Sequence, residues 1–522
     1  MTSMLRGSTH PPHYLIHKYW GRKAHNLVAD AIQEHTAPGD VVLDPFMGSG
    51  VAIIESNKLG RHAIGRDLNP LSALLVQVTT SGADGEALIA AVDRALAAVP
   101  NGVWETATTS CPVCGARVTL ENAVWSNEEL TRVKGTCEVH GKFVADASES
   151  DRELYRAASS LLERDLMTGL ITYPDDDLFA FVRRNGRRRI DELFSRRNLL
   201  QLAHVFSAFC SIDDERLRKS AMIVFTSALP NVSSMIPADE ERVLGKSGWQ
   251  ISKFWVPKVR TEKNVASSIR SRARVVARGL DDVAPLITGS PIDVLTRSAD
   301  DLRDIDTSSV DFVFTDPPYG DSIAYLGLSM FWNAWLGESV DYKNEIVVDP
   351  YRSKSLDEYE AGLRRVFDEV ARVLKPNAPM VLTFNNRHMK YWRALMNALA
   401  DSGFQLEDVD WQDQAVASGT QGINRANTLR GDFIYTFSNK QILAASRRVV
   451  SGESLVRAKA KQILDSTSFV TNADLYCAVI PDIVRERAFA DDSGRDLDIE
   501  RVMAVQYAYG PIDAQQFGWR RK

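Results

Sequence analysis

Residues able to do chemistry cluster at one abrupt strand end, Phe312-Val313-Phe314-Thr315-Asp316-Pro317-Pro318-Tyr319. Four residues of high strand propensity run into an acid and two prolines. Prolines end a strand because they lack the N–H that a ladder needs. A buried strand therefore stops and presents a carboxylate, ring-fixed carbonyls and a flat aromatic face. This set suits an exocyclic amino group on a nucleobase, whose lone pair is delocalised into the ring. Acceptors at Asp316 and at the Pro317 carbonyl favour rehybridisation of that nitrogen and stabilise the charge that develops on it. Tyr319 offers a face for stacking, worth about 1–3 kcal/mol by analogy with single-strand binders. The plainer reading is a proline turn with a surface tyrosine.

A second strand end has a different chemistry. Residues 40–46 (DVVLDPF) read as a continuously apolar strand, as in a parallel sheet buried on both faces, and Gly48 and Gly50 then open a helix. Glycines there let backbone approach a ligand at the carboxyl edge of a sheet. Asp67 ends the next strand at about the distance, roughly 20 residues on, at which an acid meets ribose hydroxyls in nucleotide folds. The pattern is not G-x-G-x-x-G and has no Walker lysine–serine pair, which disfavours NAD and ATP.

A third set is Cys111, Cys114, Cys137 and His140, spaced C-x2-C and C-x2-H, with Gly115 and Gly141 after each pair. Three thiolates and an imidazole make a closed tetrahedral site, so the expected ion is a structural Zn2+. Cys210 and Cys477 read as small apolar residues buried on helices.

Strands alternating with helices must hold these sets in place, which implies a doubly wound, mostly parallel α/β sheet. Residues 1–80 supply the glycine turn. A candidate zinc-ribbon insert follows at 81–150, then a helical, basic insert at 151–290. Residues 291–440 supply the Asp316 strand, and 441–522 form a helical tail. Within the basic insert, 183–197 holds seven arginines against Asp191 and Glu192, and 253–278 holds eight Lys/Arg against Glu262. Trp249, Phe254 and Trp255 lie beside the second run. Phosphate binding and solvated helix faces are both consistent with such runs. The aromatic stretch 331–338 (FWNAWLGE) reads as core. Asn424, Asn427 and Arg430 precede the last strand, within reach of the site.

The formal charge of −6 excludes a uniformly basic nucleic-acid coat protein but not local basic patches. No apolar run approaches a membrane span, so no membrane partner is expected. Few cysteines for the length point to a reducing, cytoplasmic setting.

The paired motifs DPFMGSG (44–50) and TDPPYG (315–320) resemble those of the S-adenosylmethionine-dependent amino-group DNA methyltransferases, over about 1–80 and 291–440. The segment HKYWGRK (17–23) is similar to that family's N-terminal cofactor motif, which implies cofactor contacts from Lys18 and Trp20. The resemblance implies a seven-stranded Rossmann-like sheet, cofactor contacts at Asp44, Phe46, Gly48, Gly50 and Asp67, and target-amine contacts at Asp316, Pro317, Pro318 and Tyr319. The order of cofactor motif, large insert and catalytic strand resembles the alpha class, whose target-recognition region fills that gap. The resemblance implies double-stranded DNA as partner, with a flipped base, and a restriction-modification or phage-defence setting with a possible partner nuclease. An aspartate opening the catalytic motif is commoner in adenine-N6 enzymes, and serine in cytosine-N4 enzymes. The expected activity is adenine-N6 methylation of DNA. Cytosine-N4 methylation, RNA methylation at guanine N2 or adenine N6, and a non-catalytic DNA-binding subunit remain alternatives.

Overall fold

In the computed structural model the described residues are 4–183, 186–245, 249, 253–321, 324–413, 431–440, 451–512 and 517–522. Asn424, Asn427, Arg430 and Arg184 lie outside them.

The central strands are largely buried, with every residue of Phe312–Thr315 inside. They form one sheet in the order Met4–Arg6, Phe404–Asp413, Gly431–Asn439, Pro379–Phe384, Phe312–Thr315, Val41–Asp44, His62–Asp67, Ile292–Thr296. The last five run parallel, and Gly431–Asn439 runs antiparallel to both neighbours. Seven strands make the expected methyltransferase-like sheet. The three-residue Met4–Arg6 adds an eighth at the edge. Two strands had no clear sequence signal. Phe404–Asp413 alternates acids with apolar residues, and Ile292–Thr296 is short and carries an acid among its apolar residues. Buried Arg66 ties the latter to its neighbour by pairing with Asp293 and with Asp304.

Alternation of side chains builds a layer on each face. Leu43, Val313, Met380 and Leu382 pack with residues of the helices Leu356–Val373 and Met389–Asp401. Val42, Phe312, Phe314 and Val381 pack with Val28 and Ile32 of helix His25–His35 and with Val51, Ala52 and Ile54 of helix Val51–Lys58. The strand order reverses direction between Val41–Asp44 and Phe312–Thr315, which is where open α/β sheets leave a ligand crevice.

The insert is tied closely into this frame. Arg117–Ser126, Glu129–Cys137 and Gly141–Asp146 form an antiparallel ribbon, and Val259–Lys263 from the far end of the helical segment pairs with its edge. Helix Arg196–Cys210 and helix Glu215–Val232 share a core with Leu71, Leu75 and Val78 of helix Pro70–Thr79 and with helix Tyr325–Leu336. In that last helix Phe331, Trp332 and Trp335 are buried, so the aromatic stretch is core.

Much of the basic charge is spent internally. Arg187 and Arg260 both pair with Glu128, Arg189 with Asp191, Arg196 with Glu163, Arg197 with Glu262 and Arg270 with Asp93. Trp249 stacks on Phe254 at 5.4 Å, and both are buried, so neither offers a face to a base. Cys210 ends its helix exposed and Cys477 is half-buried, unlike the buried positions expected for them. The tail is helical at Gly452–Ser466, Asn472–Glu486 and Ile499–Gln506, and a hairpin of Tyr507–Pro511 and Phe517–Arg521 closes it. No described helix is long and apolar enough to cross a membrane.

Glu262 joins ribbon to helices. It accepts from Trp125 Nε1 at 2.6 Å and from Arg197 Nε at 2.6 Å, and all three side chains are buried. Glu262→Ala strands a buried guanidinium and should cost about 3–5 kcal/mol. Chemical denaturation of the full chain measures it, and a change near zero would mean that this pair does not couple the two parts.

Candidate active site

Parallel pairing sets three acids in a row. The strands ending in Asp316, Asp44 and Asp67 are neighbours, with Phe312 opposite Val42 and Val42 opposite Ala63. Residues distant in sequence thus meet at one carboxyl edge. A cleft open to solvent lies over that edge. Its walls include Trp20, Asp44, Phe46, Gly48, Asp67, Asp316, Pro317 and Pro318 of the residues singled out in the sequence.

The glycine turn works through backbone. Gly48 has φ of 52°, and its N–H donates to Asp67 Oδ2 at 2.7 Å, while the N–H of Asn69 donates to Asp67 Oδ1 at 2.8 Å. These bonds aim the Asp67 carboxylate into the turn. Gly50 does not line the cleft. It has φ of 79°, and a Cβ there would meet Val76 Cγ2 at 2.1 Å, so its role is the seating of the turn on helix Pro70–Thr79. The Asp44 carboxylate accepts from the Phe46 N–H at 3.1 Å. Burial pushes its carboxyl well above the usual range, and burial likewise pushes Asp67 up to about 6 against the pull of its two N–H donors.

Lys18 also lies off the cleft. Its ammonium reaches the Trp249 carbonyl at 3.4 Å. Trp20 does line the cleft, and its buried Nε1 has no partner among the described residues, leaving a donor for a ligand acceptor. Residues that the sequence did not single out complete this wall. Tyr19 lays its ring against Gly48, with its hydroxyl 3.0 Å from Ser72 Oγ. Arg22 reaches the carbonyls of Tyr14 and His17, folding the 14–22 segment over the turn. Asn69, Glu345 and Lys23 line the cleft as well.

The strand-end loop is latched from both sides. Tyr359 donates to the Pro318 carbonyl at 2.6 Å and Asn386 to the Tyr319 carbonyl at 2.9 Å. The Pro317 carbonyl has no partner among the described residues. Tyr319 is turned from the cleft, with its hydroxyl donating to Asp316 Oδ1 at 2.7 Å and its ring edge-on to Phe384 at 5.0 Å. Thr383 Oγ1 also donates to Asp316 Oδ1, at 2.8 Å. Burial raises the Asp316 carboxyl, and the ammonium of Lys23 opposes that rise.

In the insert, Cys111, Cys114, Cys137 and His140 converge so that their ligand atoms all lie within 4.8 Å of one another. Cys111 Sγ and Cys137 Sγ are each 3.6 Å from His140 Nδ1, and Cys114 Sγ is 3.8 Å from Cys137 Sγ. A tetrahedral ion with bonds of about 2.3 Å to sulfur and 2.05 Å to nitrogen has edges of about 3.8 and 3.55 Å. These three separations match those edges. Backbone N–H groups of His140 and Val139 pull the Cys137 thiol down to about 6.

Residues 6–74 and 310–466 match the protein family described as DNA methylase, N6_N4_Mtase. The Type II methyltransferase M.MjaII of Methanocaldococcus jannaschii is 36% identical over 63 residues, 12% of this chain and 12% of that protein. The Type II methyltransferase M1.MboII of Moraxella bovis is 47% identical over 47 residues, 9% of this chain and 18% of that protein. The chain thus spans under a fifth of the length of these relatives. A solved S-adenosylmethionine-dependent methyltransferase from Methanosarcina mazei is 14% identical, covering 29% of this chain and 68% of its own, with a TM-score of 0.17, too slight a likeness to carry an argument. The two segments that match this family between them build most of the cleft and the Asp316 strand end.

Proposed function

We propose that the protein methylates the N6 amino group of an adenine flipped out of duplex DNA, with S-adenosylmethionine as donor. The observation that carries the reading is the meeting of the glycine turn and the Asp316 strand end in one cleft. The match of two segments to the DNA methylase family supports the amino group and the DNA. The choice of adenine over cytosine rests on the aspartate that opens the catalytic motif. A target amine cannot reach the cleft while stacked in a duplex, so the base must leave the helix.

The fit to the cofactor is chemical. Asp67 would hold the ribose hydroxyls, and the free Nε1 of Trp20 would meet an acceptor such as a carboxylate. Phe46, Met47 and Val347 would cover apolar surface, and the acids Asp44 and Asp67 suit a ligand bearing positive charge. Bound there, the cofactor supplies an electrophilic methyl group on a sulfonium. The chain's own contribution is at the amine. Asp316 and the Pro317 carbonyl accept from its two hydrogens, stabilising positive charge on nitrogen as its lone pair is drawn off the ring. Tyr319 gives its hydroxyl to Asp316, so stacking of the base on its ring requires that side chain to turn.

The four-residue cluster would hold one structural Zn2+, with no open position for chemistry. Its ribbon and those insert arginines that have no acid beside them among the described residues would contact the duplex. A restriction-modification setting accords with the names of the relatives.

Three outcomes are expected. Asp316→Ala should lower single-turnover methylation of duplex DNA by at least ~10²–10³-fold while cofactor and DNA affinity hold, because the acceptor acts on developing charge. A parent-like rate would end the amino-transfer reading. Cofactor affinity should be flat above about pH 6 and weaken below it, by roughly tenfold per unit, because the ribose diol donates to the ionised Asp67 and protonation removes that acceptor. Calorimetry across pH checks this, and an affinity unchanged through that range would remove Asp67 from the cofactor site. Elemental analysis of chelator-free protein should find one zinc per chain, and Cys111→Ser should lose it and loosen the ribbon while the cofactor still binds. Protein without zinc would leave the cluster a set of free thiols.

A further inference from the structure

The ammonium of Lys23 sits where acceptors from two other stretches of chain converge. Its Nζ is 2.5 Å from the Tyr319 hydroxyl, 2.8 Å from Asp432 Oδ2 and 3.2 Å from Asp316 Oδ1. It also lies 4.9 Å from the centre of the Tyr319 ring. Lysine comes from the N-terminal wall of the cleft, Asp432 from strand Gly431–Asn439, and Asp316 and Tyr319 from the strand-end loop. Only 11% of the Lys23 side chain is exposed. A buried ammonium holds its charge only where partners replace its water, and here two carboxylates and a phenol do so.

The contacts on Asp316 are lopsided. Tyr319, Thr383 and Lys23 all reach Oδ1. Among the described residues nothing reaches Oδ2. A carboxylate gripped through one oxygen is fixed in rotation and offers the other.

We propose that Lys23 is a positioning residue for methyl transfer: it keeps Asp316 ionised and turned with Oδ2 toward the target amine, while Asp432 holds Lys23 in place. This rests on the amino-transfer reading above. The charge logic is direct, because a protonated Asp316 would present a donor where the amine needs an acceptor. The titratable groups facing Asp316 are Lys23, the carboxylates of Asp432 and Asp44, and the hydroxyls of Tyr319 and Tyr325. Among these Lys23 is the cation. Without it, two carboxylates share a buried site and Asp316 takes up a proton. The sign follows. An acid whose pKa rises stays protonated to higher pH, so a rate that needs the carboxylate is lost at neutral pH and returns as pH rises.

The test uses the full chain with three variants: Lys23→Met, which keeps length and removes charge, Lys23→Arg, and the double variant Lys23→Met/Asp432→Asn. Two quantities are read against pH. One is single-turnover methylation of duplex DNA. The other is the infrared carboxyl band of Asp316, assigned by difference against Asp316→Asn, which needs no turnover. Lys23→Met should lose about 10²-fold in rate at neutral pH and regain it as pH rises, with the Asp316 band titrating higher than in the parent. Lys23→Arg should keep the ionised band. The double variant should recover part of the loss, since removing the second carboxylate with the lysine removes the repulsion. That recovery also excludes simple misfolding. A Lys23→Met protein with the parent's rate, pH profile and band overturns the proposal. A faster one also overturns it, and would mean that Lys23 only occupies the amine's place. A parent protein that methylates no amino group fails the amino-transfer reading, whereas a methylating parent with an indifferent Lys23→Met fails this inference alone.

Discussion

Parallel pairing of three short buried strands is the constraint on which the cleft depends. Registering Phe312 with Val42, and Val42 with Ala63, brings Asp316, Asp44 and Asp67 to the same edge. All three carboxylates are then partly or wholly withdrawn from water, and each must be compensated locally. Asp67 takes two backbone N–H donors, Asp44 takes one, and Asp316 takes two hydroxyls and an ammonium. The rest of the site follows from those needs. The turn carries Gly48 so that its N–H can reach Asp67, and Gly50 so that the turn can lie on Val76.

Local grammar was the legible part of the chain. Apolar runs ending in Asp-Pro, glycines opening a helix, and amphipathic helices after each strand were enough for a doubly wound sheet with the acids on one edge. The spacing of Cys111, Cys114, Cys137 and His140 was enough to bring them together, because two knuckles on a hairpin ribbon have little freedom. Contacts made between distant segments were not legible. Lys23 lies inside the quoted HKYWGRK segment, yet nothing local distinguishes it from Lys18. Only the pairing of strand Gly431–Asn439 beside Pro379–Phe384 brings Asp432 to it. The orientation of Tyr319 is also tertiary, since it depends on Phe384 and on the side chains that draw its hydroxyl inward.

Charge runs were ambiguous for a related reason. Arginines at 187, 189, 196 and 197 fit either phosphate binding or a solvated face in the sequence, and in the fold each has an acid beside it. Their placement joins ribbon, helices and strand Val259–Lys263 into one packed insert. On the proposed reading the insert would hold the duplex against the cleft, and that stiffness would serve it, because an error of an ångström at the amine costs much of the rate.

The central claim is that one cleft carries a methyl group to an exocyclic amino nitrogen of a base in DNA. Duplex DNA of mixed sequence, incubated with the protein and methyl-labelled S-adenosylmethionine, then digested to nucleosides and resolved by mass, tests it most directly. The account predicts label in N6-methyladenine. Label on a ring carbon, or none on any amino group of the DNA, would contradict it.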